Sequence, residues 1–136
     1  MLFLSRFVRG SRARTLFCVC LIAQSGIALA QTDVHWTNPA GGSWFTATNW
    51  SDSSVPNNGG ANTYNAFIDL AGNPYTVTLN SSATVSNFTL NSTAATLSHS
   101  AGSFRVLGTA SLQSGLYRLN GGTIAGGVWN VAPGTF

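Results

Sequence analysis

The groups that could carry acid–base catalysis are few and scattered beyond residue 30. That part of the sequence holds three aspartates, two histidines and no glutamate. Asp33 and His35 are close neighbours, but Asp52 lies in a turn-rich stretch and Asp69 on a predicted strand, so nothing ties them into the paired carboxylates of a glycosidase. His99, in Leu-Ser-His-Ser, is expected at a solvated corner, and no Gly-x-Ser-x-Gly motif occurs. We therefore predict no catalytic residues and a protein that is not an enzyme.

The sequence also predicts no metal site and no bound cofactor. No set of His, Cys, Asp or Glu residues has the spacing of a zinc site or an EF-hand, and no glycine-rich segment has the pattern of a phosphate-binding loop. Both cysteines, Cys18 and Cys20, lie before residue 30. No disulfide or thiolate chemistry is therefore expected after that point.

Three tryptophans, Trp36, Trp44 and Trp50, form the heaviest apolar cluster of the sequence. Asn-Pro and Gly-Gly pairs between them make helices unfavourable and favour short extended segments. Exposed rings beside Asn and Asp side chains could stack on sugars, which makes all three candidates for carbohydrate contact. Buried rings would instead plug the open end of a repeat structure. The pattern favours the plug, because isolated apolar rings more often belong to a core.

Residues 1–30 have the pattern of a signal peptide. Four arginines between positions 6 and 14 precede an apolar run at residues 15–27, and the small-x-small sequence Ala-Leu-Ala follows it. This pattern predicts cleavage between Ala30 and Gln31, and export. An uncleaved anchor is the alternative, but the run is shorter than the roughly 20 residues that a membrane-spanning helix needs. No other span is predicted.

Removal of this leader reverses the charge of the chain. Beyond residue 30 only Arg105 and Arg118 remain basic, against three aspartates, which gives a formal charge of −1. A nucleic-acid partner requires a clustered basic surface. We therefore predict no nucleic-acid binding.

The exported part divides into an N-terminal cap with the first strands, residues 31–74, and a repeat region, residues 75–136. Two segments at the junction alternate apolar and polar residues with the period of a strand. Their predicted inward side chains are Ala66, Ile68 and Leu70 in the first segment, and Tyr75, Val77 and Leu79 in the second.

The repeat region aligns with itself when residues 79–100 are laid over residues 101–122. The period of this alignment, about 22 residues, suits one coil of a parallel β-helix, with three short strands and their corners. Fewer than three periods fit between residue 79 and the last residue, so the chain is expected to be the N-terminal fragment of a longer protein. The alignment places Leu90 on Leu112, Leu97 on Leu119, and Val85 on Leu107 and then on Trp129.

The scarcity of charge in the repeat has a physical reason. Equivalent positions of successive coils lie about 4.8 Å apart, so a like charge on each coil would repel its neighbour. The alignment places Arg105 over Ala83 and Gly127, and Arg118 over Thr96, so that neither arginine stacks on the other. Asn, Ser and Thr can instead form hydrogen-bonded ladders along the stack.

Several segments together resemble the start of bacterial exported repeat proteins. They are Trp-Thr-Asn-Pro-Ala-Gly-Gly-Ser-Trp at residues 36–44, Asn-Trp at 49–50, Val-Pro at 55–56 and Tyr-Thr-Val-Thr-Leu at 75–79. The sequence is similar to autotransporter-type passengers with β-strand repeats and to surface proteins with PEP-CTERM sorting tails. The resemblance implies an all-β, right-handed parallel β-helix at or beyond the envelope of a Gram-negative-type bacterium.

Two hypotheses for function follow. The first is a structural or adhesive surface protein without enzymatic activity, which presents flat faces rich in Thr, Ser and Asn to a surface polysaccharide or to the surface of a host or neighbouring cell. The alternative is a polysaccharide-binding or polysaccharide-degrading β-helix whose active coils lie downstream of this fragment. The tryptophan cluster motivates this second hypothesis.

Overall fold

A computed structural model describes residues 31–136, and these residues form an almost entirely β structure. The predicted signal peptide, residues 1–30, lies outside that range, and of the predicted cleavage site only Gln31 lies within it. The one helical element described is a short 3₁₀ turn, Ala47–Asn49. The strands in chain order are β1 (Gln31–His35), β2 (Gly42–Ser43), β3 (Thr63–Ile68), β4 (Tyr75–Leu79), β5 (Ala83–Val85), β6 (Asn87–His99), β7 (Ser103–Val106), β8 (Thr109–Leu119), β9 (Thr123–Ala125) and β10 (Val128–Val131).

The strands stack in three parallel columns. The first column contains β1, β3, the first parts of β6 and β8, and β10. The second contains β2, β4 and the second parts of β6 and β8, and the third contains β5, β7 and β9. The chain passes through the columns in turn and makes about three turns. The predicted all-β parallel solenoid is confirmed.

The predicted period holds in the first column from β3 to β8 but not elsewhere. Leu90 pairs with Leu112, as predicted. The predicted partners of three other positions are wrong, because the offset between paired strands is shorter than predicted, from β4 and β5 onward in the other two columns, and also between β8 and β10. The observed pairs are Leu97 with Tyr117, Val85 with Val106, and Trp129 with Ala110.

Different corner lengths contribute to this change of offset. Between the first and second columns, β6 uses residues 92–94 for the corner, since Ala95 already pairs with Tyr75, whereas β8 turns through Gly115 alone. Gly115 has a φ of +88°, and a Cβ there would lie 2.4 Å from the carbonyl oxygen of Ser92. The one-residue corner is therefore open to glycine only.

The arginine positions shift with the corners. Arg105 pairs with Thr84 and Ala125, and Arg118 pairs with Ser98. The partners predicted from a uniform period are wrong. The expectation that neither arginine stacks on the other is confirmed.

The core follows the alternation read from the sequence. Ala66, Ile68, Val77 and Leu79 are fully buried, and Tyr75 is almost so, while Leu70 packs at the margin of the core. These inward predictions are confirmed. Aromatic rings form a continuous column through the interior, in the order Trp36, Trp50, Trp44, Phe104, Tyr117 and Phe136, with successive ring centroids 4.8–6.5 Å apart.

The two described ends of the solenoid differ. At the N-terminal end, β1 pairs with β3 across a long insertion in the first coil, and this insertion holds the tryptophans. At the C-terminal end, which we call the open end, several large apolar side chains are exposed to solvent. All the exposed large hydrophobic residues within 31–136 lie in the last part of the chain, namely Leu107, Leu119, Val128, Val131 and Phe136. In that same range, no helix is long and apolar enough to cross a bilayer.

Candidate functional site: the polar face

The outward side chains of the first column form a polar surface along the solenoid. Strand alternation turns Val34, Ala66, Phe88 and Ala110 inward, where all four are buried, so their neighbours along each strand point to solvent. We call this surface the polar face. Its members are Asp33, His35, Asn65, Phe67, Asp69, Asn87, Thr89, Thr109 and Ser111.

An amide ladder runs along the polar face. Asn65 donates from Nδ2 to Oδ1 of Asp33 at 2.6 Å, and Asn87 donates from Nδ2 to Oδ1 of Asn65 at 2.9 Å. The backbone N–H of Thr109 donates to Oδ1 of Asn87 at 2.8 Å, and Gln31 Nε2 also donates to Asn65. Each strand of the first column, which forms one rung of the ladder, thus holds an amide side chain of the neighbouring strand in place. Hydrogen-bonded polar ladders of this kind were predicted from composition, and they are confirmed.

Replacing Asn87 with alanine is expected to lower the free energy of unfolding by about 1–2 kcal/mol. The change removes the donor to Asn65 and leaves the Thr109 N–H without its acceptor, and a lost hydrogen bond typically costs about 1 kcal/mol. Urea unfolding followed by circular dichroism measures the loss. The matched control is Thr89→Ala, two residues along the same strand and outside the ladder. Equal losses in both variants would contradict the structural role of the ladder.

A contact between a histidine and a carboxylate also lies on the polar face. His35 Nδ1 and Asp69 Oδ2 are 2.9 Å apart, and both side chains are substantially exposed, at 46% and 36%. The His35 ring stacks on Phe67 with centroids 4.6 Å apart. Such a pair can hold an imidazole in one orientation.

Sequence reasoning placed Asp33 and His35 together and missed the pair with Asp69. Asp33 instead bonds to Asn65, because it lies two residues before His35 on the same strand and faces the next rung. The partners His35 and Asp69 are far apart in the sequence, and the insertion in the first coil sets their spacing. The pair could have been predicted only from the offset between the strands on either side of that insertion, and no sequence pattern gives this offset.

The three tryptophans lie in the core. Trp36, Trp44 and Trp50 are only 1%, 0% and 2% exposed. Trp44 contacts Trp50, Phe88 and Phe104, with centroid distances of 4.8, 6.1 and 5.3 Å. Stacking on a sugar requires an open ring face, and none of the three rings has one. The structure therefore gives these rings a packing role.

Their indole N–H groups are bonded within the protein. Trp36 donates to the carbonyl oxygen of Asn38, Trp44 to that of Pro56 and Trp50 to that of Trp44, at 2.7, 3.1 and 2.8 Å. Each buried donor is thus satisfied by a backbone carbonyl. The rings hold the loops of the insertion as well as filling the space beneath them.

His99 is not at a solvated corner, and that prediction was wrong. It is completely buried, because it lies two residues after the inward Leu97 on the same strand. In the stack it is paired with Leu79 on one side and Leu119 on the other. Nδ1 is 2.8 Å from the hydroxyl of Tyr117, and Nε2 has no hydrogen-bond partner.

Burial sets the ionisation of these interior groups. Desolvation lowers the pKa of His99, although the nearby carbonyls of Gly102 and Ala101 act in the opposite direction. Desolvation also raises the pKa of Tyr117 and that of Tyr75, whose hydroxyl donates to the carbonyl oxygen of Leu70. All three side chains are therefore neutral near pH 7.

Two concave features lie at the C-terminal end of the described residues. A wholly apolar cavity of about 290 Å³ is lined by Ile124, Trp129, Val131 and Phe136. A second, of about 360 Å³, is lined by residues 116–120 at the end of β8 and also by Phe136. Across residues 31–136, no group of three or more His, Cys, Asp or Glu side chains is placed to hold a metal ion.

No protein-family model, curated protein or solved structure matches the chain.

Proposed function

We propose that the chain is an exported structural or adhesive protein without enzymatic activity, located at the cell surface or outside the cell of a Gram-negative-type bacterium. The polar face is its contact surface, and a surface polysaccharide is its partner. The observation that supports this proposal most directly is the amide ladder from Asp33 to Thr109.

The ladder makes the polar face rigid before any partner binds. Binding ordinarily costs about 0.5–1.5 kcal/mol for each flexible side chain that it immobilises. Asn65 and Asn87 are already held by their neighbours, so contact with them avoids much of that cost. Each amide has a second N–H that the ladder does not use, and Asn87 Oδ1 has a second lone pair, whereas Asn65 Oδ1 already accepts from Gln31 and Asn87.

The spacing and charge of this face suit a neutral or weakly charged polymer. Successive rungs lie about 4.8 Å apart and present amides and hydroxyls from Asn65, Asn87 and Thr89. Hydroxyl groups of a polysaccharide can donate to and accept from such groups without the desolvation cost of a charge. The absence of lysine and glutamate beyond residue 30 is consistent with this kind of partner.

A surface-retention assay tests the proposal. Purified protein is passed over films of cellulose, chitin, peptidoglycan and alginate, and the retained fraction is measured under flow. We expect retention on at least one film, a loss of about fivefold or more with Thr89→Arg on the polar face, and little change with Thr96→Arg, which lies on the second column. Thr89 pairs with Phe67 and Ser111, and Thr96 with Thr76 and Leu116. Equal retention of both variants, or no retention on any film, would contradict the proposal.

The His35–Asp69 pair supports a second candidate function, the binding or degradation of polysaccharide. A carboxylate beside a stacked imidazole and Phe67 combines the polar and aromatic groups that sugar sites use. The retention assay distinguishes the two functions when the release of reducing ends is measured in parallel. Release that is lost in Asp69→Asn would favour degradation, and retention without release favours adhesion.

A further inference from the structure

The environment of His99 combines complete burial with incomplete hydrogen bonding. The imidazole is 0% exposed and has one side-chain partner, the hydroxyl of Tyr117 at 2.8 Å. Its other ring nitrogen, Nε2, points at the corner around Gly122, where an added Cβ would lie 2.7 Å from it. Phe104 contacts the ring edge-on. The carbonyls of Gly102 and Ala101 near the ring favour its protonated form, but the desolvation of a fully buried ring is the larger effect, so the imidazole is neutral in this arrangement.

No counter-charge faces His99 from any of the strands packed against it. Tyr117, on β8, is the one titratable side chain in contact with the ring. Arg105 on β7 and Arg118 on β8 are exposed and alternate with inward residues, so they point away from the core. Strands β4 and β9 carry no charged residue. Asp33 and Asp69 lie on the polar face.

We infer that His99 is an acid-sensitive latch for the C-terminal coils. A proton on its ring would leave an unpaired positive charge inside the aromatic core, so the protonated side chain must move to water. The segments stacked on it are β7, the second part of β8 and the corner at Gly122, and these open with it. The tryptophan insertion lies at the other end of the aromatic column and stays closed.

The direction of the pH effect follows from the location of the proton. Burial lowers the pKa of His99 in the folded protein, and the unfolded chain has the ordinary value of about 6.5. Below that value the open form binds a proton that the closed form does not. The closed state is therefore fully stable above about pH 6.5, and it loses stability as the pH falls, by up to tenfold in its equilibrium constant for each pH unit.

Hydrogen–deuterium exchange of the purified protein at pH 7.5, 6.5 and 5.5, corrected for intrinsic exchange rates, tests the latch. We expect the protection of residues 99–131 to fall by up to tenfold between pH 6.5 and 5.5. Protection of residues 31–56 should stay unchanged. This range of pH remains above the ordinary pKa of aspartate, about 3.9, so the carboxylates do not contribute. An equal loss of protection in residues 99–131 and 31–56, or no loss of protection in either, would overturn the inference. Neither result requires a variant.

Two substitutions at the latch and one control assign the effect to a residue. His99→Leu extends the apolar pair of Leu79 and Leu119, and His99→Gln keeps a neutral polar group, so neither titrates in this range. Either variant should abolish the pH dependence. The control is His35→Gln, which removes the other histidine of the chain and should leave the dependence intact. A pH dependence that persists in the His99 variants and disappears in His35→Gln would overturn the inference.

Discussion

Replacing Trp44 with alanine is expected to lower the free energy of unfolding by about 3–5 kcal/mol, the usual range for a buried tryptophan. The ring is fully buried and joins the tryptophans of the insertion to Phe88 and Phe104 in the next coils. Its loss also leaves the carbonyl of Pro56 without its indole donor. Domains are typically stable by only about 5–15 kcal/mol, so this variant should be largely unfolded under mild denaturation.

Urea unfolding followed by far-ultraviolet circular dichroism measures the effect, and Trp129 provides the matched control. Trp129 belongs to the same aromatic core but lies half-buried at the open end, where its N–H bonds to the carbonyl oxygen of Gly126 at 3.2 Å. Trp129→Ala should therefore cost less, about 1–2 kcal/mol. A cost for Trp44→Ala no larger than that for Trp129→Ala would show that the cluster does not seal the first coil.

Replacing Gly102 with alanine is expected to cost about 3–4 kcal/mol in the free energy of unfolding. Gly102 has a φ of +81°, and a Cβ there would lie 2.3 Å from the carbonyl carbon of Ser81 and 2.5 Å from the amide nitrogen of Ser82. The left-handed conformation alone costs about 1–2 kcal/mol for a residue with a side chain. The overlap adds to this, because rigid backbone of the preceding coil must move.

The control separates the two contributions. Gly60 also has a left-handed φ, of +60°, but a Cβ there would meet no atom within 4 Å. Gly60→Ala should cost only about 1 kcal/mol, which reflects the conformation alone. Thermal unfolding of both variants gives the difference. Similar losses in the two would mean that the corners of successive coils can separate without cost.

Much of the fold could be predicted because it depends on local alternation. Strands β3 and β4 follow an apolar–polar period that the sequence displays openly, and their inward residues were identified correctly. The offset within the first column was also correct from β3 to β8, since Leu90 and Leu112 occupy equivalent inward positions. The other offsets could not be predicted from similarity alone. They depend on how many residues each corner uses, and Gly115 allows a corner of a single residue.

The type of the candidate site could be predicted from the sequence, but the residues that form it could not. The abundance of Asn, Ser and Thr predicts polar ladders, but the contact of Asp33 with Asn65 depends on a strand offset that the insertion sets. His99 was misplaced because polar neighbours on both sides outweighed its alternation with Leu97. The burial of His99 depends on tertiary structure, since the hydroxyl that bonds its imidazole belongs to Tyr117 in the next coil.

The contrast between the two ends also gives the solenoid a mechanical polarity. Each coil pairs only with the coils before and after it, so tension applied between the two ends of residues 31–136 loads the rungs one after another. The outermost rung at β10 is held by one strand neighbour and by half-exposed side chains, whereas the opposite end is fastened by three interlocked indoles. Within residues 31–136 taken by themselves, rupture should therefore begin at β10 and move toward the tryptophans. Each coil of about 20 residues would release roughly 70 Å of slack as it yields, so the protein would extend in steps and dissipate force.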